Sequence, residues 1–159
     1  MSRSYARAVK GQRAKVTEPY EAQAKLSVIS ALSLDGIGAT FTIDDAVDGD
    51  VFSVYVERLL VPELRRGDIV FMDNVSFHKN RRAVNMIEAA GARVEYLPAY
   101  SPEFNPIEHS ISKIKATLRR LKAKTQPKLE RALTQAMRQV STDDIRGWFN
   151  HCGYACPHK

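Results

Sequence analysis

DIVFMDN, residues 68–74, runs from an acid through four apolar residues into an Asp-Asn pair. An apolar run of this length, bounded by turn residues, reads as a strand buried on both faces. Asp73 stands at its C-terminal end, where α/β sheets collect their chemistry. A carboxylate beside a low-dielectric core needs a cation, a metal or several donors. Asp73 therefore reads either as a functional acid or as a cap and turn residue working with Asn74.

Upstream, LSVISALSLDGIGATFTID (26–44) reads as two strands joined at Asp35-Gly36, a pair suited to a tight hairpin. Phe52, Tyr55, Val56, Leu59 and Leu60 then repeat at helical spacing, closed by RRGD at 65–68. Downstream, a helix is expected from Ser76 to Ala90, stopped by Gly91, followed by the strand ARVEYLP at 92–98. A helix from Pro106 carries Ile107, Ile111, Ile114, Leu118 and Leu121 as an apolar stripe. Two more helices fit the end: one with Leu129, Ala132, Leu133, Ala136 and Val140 on one face, the other opening at Ser141 or Thr142. An antiparallel hairpin followed by strand, helix, strand, helix implies an α/β protein, a mixed sheet flanked by helices.

YSPEFNPIEHSISKIK, residues 100–115, supplies a second acid. Asn105 suits an N-cap and Pro106 the first helical position. Glu108 falls where a capping-box carboxylate reaches back to the N-cap amide, so capping and catalysis both remain open for it on this stretch alone. Thirty-four residues separate it from Asp73, room for a helix, a strand and a loop that return the chain to the same sheet edge. Together the two carboxylates would form an oxygen-only site suited to Mg²⁺. Lys115, Arg119 and Lys122 follow on the same flank, a row of cations able to neutralise phosphates, or simply a solvated basic face.

The 159 residues suit one domain, and 44% hydrophobic with 26% charged is globular composition. A net charge of +6 makes a polyanion a natural partner. With no apolar run of membrane-spanning length and no signal-peptide core at the start, a cytoplasmic protein with no membrane partner is expected. Residues 1–25 read as a basic, irregular N-terminal arm. His151, Cys152, Cys156 and His158 lie close enough in sequence to be weighed as metal ligands, but structural zinc sites usually join two ligand pairs across a folded segment.

DIVFMDNVSFH, followed by the Glu of YLPAYSPEFNPIE, resembles the catalytic domain of mariner-type DDE transposases, in their bacterial insertion-sequence branch. The resemblance runs from VISALSLDG to the terminal HCGY and implies residues 26–159 as a partial catalytic domain with the RNase H-like fold of retroviral integrases. It implies Asp73 and Glu108 as the second and third members of a metal-binding acidic triad. The activity implied is cleavage of transposon ends and their joining to target DNA, with two Mg²⁺ (or Mn²⁺) ions about 3.5 to 4 Å apart. DNA is the implied partner, with a homodimer or a full-length transposase beside it and a nucleoid-associated location. Asn74, His78 and Asn105 are possible accessory residues. The family's first Asp lies on a strand before the part that matches here, so the sheet is expected to lack its first strand and the chain alone to turn over little. Asp35, at a hairpin tip, is a poor replacement for that acid; Asp44 and Asp45, at a strand end, are better placed. A hydrolytic nuclease of the same fold and a non-catalytic, inhibitory DNA-binding fragment are the competing expectations.

Overall fold

Residues 27–43 fold back on themselves because apolar side chains alternate on either side of a tight turn. The computed structural model describes residues 26–123 and 125–156, so the basic arm expected over 1–25 and His158 lie outside the described residues. β1 (Ser27–Ser33) and β2 (Gly36–Ile43) pair antiparallel from Ser33↔Gly36 to Ser27↔Ile43. The turn falls on Leu34-Asp35, one residue earlier than expected, because Ser33 Oγ accepts the Asp35 N–H at 3.2 Å. Between Ile29 and Ala31 the register shifts, and two residues of β2 bulge opposite one of β1. Ala39 sits in that bulge at φ +40° and donates its N–H to Glu63 Oε1 at 2.8 Å.

α1 (Gly49–Tyr55) starts at Asp48, whose carboxylate accepts from the N–H groups of Asp50 and Val51. It continues through a π turn at Val56–Leu60 and a 3₁₀ turn at Val61–Glu63, burying Phe52, Tyr55, Val56 and Leu60. β3 (Ile69–Met72) pairs in parallel with β4 (Arg93–Tyr96), from Ile69↔Arg93 to Met72↔Tyr96. Between them lie a 3₁₀ turn at Ser76–Lys79 and α2 (Arg81–Ala89). α2 therefore begins five residues later than expected, because Asn80 caps the N–H groups of Arg82 and Ala83 while its Nδ2 donates to the Gly49 carbonyl. Gly91 follows the helix at φ +86°, as its place in the sequence predicts.

The mixed α/β architecture is as expected, but the single sheet is not. Among the described residues the strands form two separate two-stranded ladders, β1-β2 and β3-β4. Nor is β3 buried on both faces: Met72 is buried, whereas Ile69 and Phe71 are 40% and 45% exposed. A strand disappears from solvent on both sides only where both sides are covered. Here one side meets the core of Phe52, Val56, Ala83 and Ile87, and the other is only partly shielded.

α3 (Pro106–Leu121), α4 (Gln126–Arg138) and α5 (Thr142–His151) pack together around Ala132, Leu133, Ala136 and Ile145. The stripe expected on α3 is only half-buried, and Leu121 is 40% exposed. The residues most buried on α3 are Pro106, Ser110 and Thr117. Both hydroxyls remain satisfied there, Ser110 donating to the Ile107 carbonyl at 2.8 Å and Thr117 to Gln139 Oε1 at 3.4 Å. α5 opens on the expected Ser141 cap, closed into a capping box by Asp144, which also meets the Lys113 ammonium of α3. Among the described residues, no helix is long and apolar enough to cross a membrane.

Candidate active site

Strand alternation carries Ile69, Phe71 and, just past the end of β3, Asp73 to one side of the ladder, opposite buried Met72. Asp73 Oδ1 meets His78 Nδ1 at 2.7 Å and accepts the Val75 N–H at 3.2 Å. With a carboxylate as partner, Nδ1 acts as the donor. The early-helix position expected for His78 is a 3₁₀ turn instead, and that turn aims the ring back at Asp73. The ring lies 4.8 Å from that of Phe52 and 4.6 Å from that of Phe77, leaving the side chain 20% exposed against 47% for Asp73. Tyr96 holds the same residue from behind, its hydroxyl donating to the His78 carbonyl at 3.0 Å. Asn74 turns away from Asp73 and donates from Nδ2 to the Leu97 carbonyl, tying together the C-terminal ends of β3 and β4. Among the described residues, no hydrogen bond reaches Asp73 Oδ2.

Glu108 occupies the first turn of α3, as the Asn-Pro pair predicts. Asn105 holds the N-cap position, but its side chain makes no capping bond, and no hydrogen bond from the described residues reaches the exposed Glu108 carboxylate. The capping box that competed for Glu108 is therefore not formed. Pro106 removes one donor from the first turn, and the Glu108 N–H is already bonded to the Asn105 carbonyl at 3.1 Å. At about 100° per residue, Lys115 and Arg119 lie within about 20° of Glu108 around the helix, and all three are exposed. Lys122 leaves that row. It is the C-cap residue, in the left-handed region at φ +46°, where the helical period no longer governs its direction.

The two carboxylates sit on separate elements, and no group of three or more His, Cys, Asp or Glu gathers into a metal cluster among the described residues. Neither Asp44 nor Asp45 joins them in one; Asp45 instead accepts the N–H of Ala46 at 2.7 Å. Asp35 lies at the hairpin tip as expected, paired with Arg65 at 3.2 Å. Nor do His151, Cys152 and Cys156 form a metal group. Cys152 is buried, which pushes its thiol pKa up, and Cys156 lies 3.9 Å from the Arg146 carbonyl.

Tyr154 is the residue that sequence reading missed. Its ring lies 5.1 Å from that of Phe71 and 5.9 Å from that of Phe149, and its hydroxyl donates to the Phe104 carbonyl at 2.9 Å. Burial, then the neighbouring Cys152, pushes the phenol pKa up, so the hydroxyl stays a proton donor. An open cleft of about 550 Å³ adjoins it, lined in part by Phe71, Tyr96, Phe104 and Tyr154. Only its place in the terminal HCGY marked Tyr154, because its partner is 50 residues away in sequence.

Asp73 ends a parallel strand, Glu108 opens a helix, and exposed Lys115 and Arg119 follow along that helix; hard oxygens are donors that divalent ions favour, and Lys and Arg are the usual partners of phosphodiesters. Comparison with curated proteins finds no match. Residues 1–130 match the family described as DDE superfamily endonuclease, which includes both Asp73 and Glu108, and the chain belongs to that family.

Proposed function

We propose that this DDE endonuclease is a transposase of the mariner-type, bacterial insertion-sequence branch, with residues 26–159 as its RNase H-like catalytic unit. Its acids Asp73 and Glu108 hold divalent metal, Mg²⁺ or Mn²⁺, at the DNA phosphate to be cut. The observation that carries this reading is the state of the two carboxylates. Asp73 is fixed through Oδ1 by His78 and the Val75 N–H, while among the described residues no bond reaches Oδ2 and the exposed Glu108 makes no capping bond. Oxygen donors left available in this way fit a hard cation. Asp73 and Glu108 would hold such a metal pair, which would supply activation of the attacking oxygen and stabilisation of the leaving one.

The chain's own residues do the rest. His78 holds Asp73 in one orientation, and Asn74 fixes the strand end by bonding to Leu97. Lys115 and Arg119 offer charge to the phosphates leading away from Glu108, with Lys122 a further cation beyond the helical row. Such contacts position DNA without reading its sequence, so affinity should fall steeply with salt and vary little between sequences. Among the described residues Asp73, His78 and Glu108 do not gather into one metal-holding group, and turnover by the chain alone is expected to be low. The half-exposed Ile69 and Phe71 and the separate ladders favour association with a second copy or a longer transposase.

The test is Mn²⁺ binding, followed by water-proton relaxation in the wild type, Asp73→Asn and Glu108→Gln. Binding weakened by each substitution supports the site; binding indifferent to both ends it. The reaction class is then read by supplying DNA with a free 3′-OH, because strand transfer yields joined product and hydrolysis alone does not.

A further inference from the structure

We infer that Tyr154 is a positioning residue: a latch that sets the start of α3, and with it Glu108, against the strand that carries Asp73. The inference rests on the reading of Asp73 and Glu108 as one metal site. Phe71 lies two residues before Asp73 on the same side of β3, and its ring meets that of Tyr154 at 5.1 Å. Phe104 lies four residues before Glu108, in the 3₁₀ turn that leads into α3, and its carbonyl accepts the Tyr154 hydroxyl at 2.9 Å. One side chain thus touches both chain segments that lead into the acids.

The geometry gives that contact weight. The two acids belong to bodies that share little packing. The hydrophobic cluster around Phe52 and Ile87 contains no residue of α3, α4 or α5; the helices pack mainly on one another, with α3 also touching β1. The α3 start itself is lightly held, since Asn105 makes no side-chain cap and Phe104 is 44% exposed. Tyr154 in turn is anchored by Phe149 of α5, and its chain leaves that helix with the Tyr154 N–H bonded to the Phe149 carbonyl at 2.9 Å. The latch lies beyond residue 130, outside the stretch that matches the family.

Tyr154→Phe keeps the ring and removes only the hydroxyl. Two readouts on the full chain test it. Amide exchange over residues 101–110 should rise several-fold while that of Ala132–Ala136 in α4 stays at its wild-type rate, which separates a released latch from general unfolding. Mn²⁺ affinity, measured by water-proton relaxation, should fall about tenfold, the order expected when a group supporting metal ligands is lost. Unchanged exchange over 101–110 overturns the latch. Wild-type Mn²⁺ affinity in Tyr154→Phe, with Asp73→Asn and Glu108→Gln both impaired, overturns the positioning role and leaves the metal site standing. Mn²⁺ binding indifferent to Asp73→Asn and Glu108→Gln overturns the metal-site reading and the positioning role together.

Discussion

Asp73 and Glu108 are supported in opposite ways. Asp73 is part of the fabric around it: His78 and the Val75 N–H hold one oxygen, and His78 rests on Phe52 and is held from behind by Tyr96. Glu108 stands on a helix turn whose cap side chain is idle, and its carboxylate is bonded to nothing among the described residues. One acid is oriented by its own surroundings; the other takes its position from whatever fixes the start of α3. Stability and site geometry should therefore separate on mutation, strongly coupled at Asp73 and nearly independent at Glu108.

The largest expected effect lies beneath His78. Phe52 is 2% exposed and central to the α/β core, so Phe52→Ala should cost about 3–5 kcal/mol in chemical denaturation. A loss below about 1 kcal/mol would mean that this core does not support the Asp73 side at all. Next comes Asp73→Ala, which removes the acceptor for His78 Nδ1 and the Val75 N–H; at 47% exposure it should cost about 1–2 kcal/mol.

Of similar or smaller size is Asp144→Asn, which weakens the link between α3 and α5 and should cost about 1 kcal/mol near neutral pH. The bond to Lys113, followed by those to Ser141, lowers the Asp144 carboxyl from 3.8 to about 2. A depressed folded-state pKa means that this stabilisation is present above about pH 4 and is lost as the pH falls toward 2. Acid titration should show that step in the wild type and not in Asp144→Asn. The smallest effect belongs to Glu108→Gln, which loses only a favourable charge at a helix start and should change stability by about 0.5 kcal/mol or less. A larger loss would reveal a structural bond to Glu108 and erase its contrast with Asp73.

Much of this was written in local sequence. The apolar run ending at Asp73, the Asn105-Pro106 helix start, the Gly91 stop and the Ser141 cap all act through neighbours a few residues away, and each element appears where its residues put it. Errors arose where a second local bond competed. Ser33 drew the hairpin turn back by one residue, and Asn80, holding Gly49, delayed α2 to Arg81. The α3 stripe was read from its apolar period, but the buried side is chosen by how α4 and α5 approach, and it includes Ser110 and Thr117 once their hydroxyls find partners.

The sequence by itself determined the mixed α/β elements, the places of Asp73 after a strand and Glu108 at a helix start, and the exposed Lys115 and Arg119 beside the second, because strand alternation, helix period and turn chemistry are short-range effects. Only tertiary structure decided that the strands stand as two ladders, that His78 pins Asp73, that Glu108 is not used as a cap and that Tyr154 spans from Phe71 to Phe104. The physical reason is reach. A hydrogen bond or a ring contact joins groups a few ångströms apart in space whatever their distance along the chain, and no local pattern records that Tyr154 finds its acceptor 50 residues upstream.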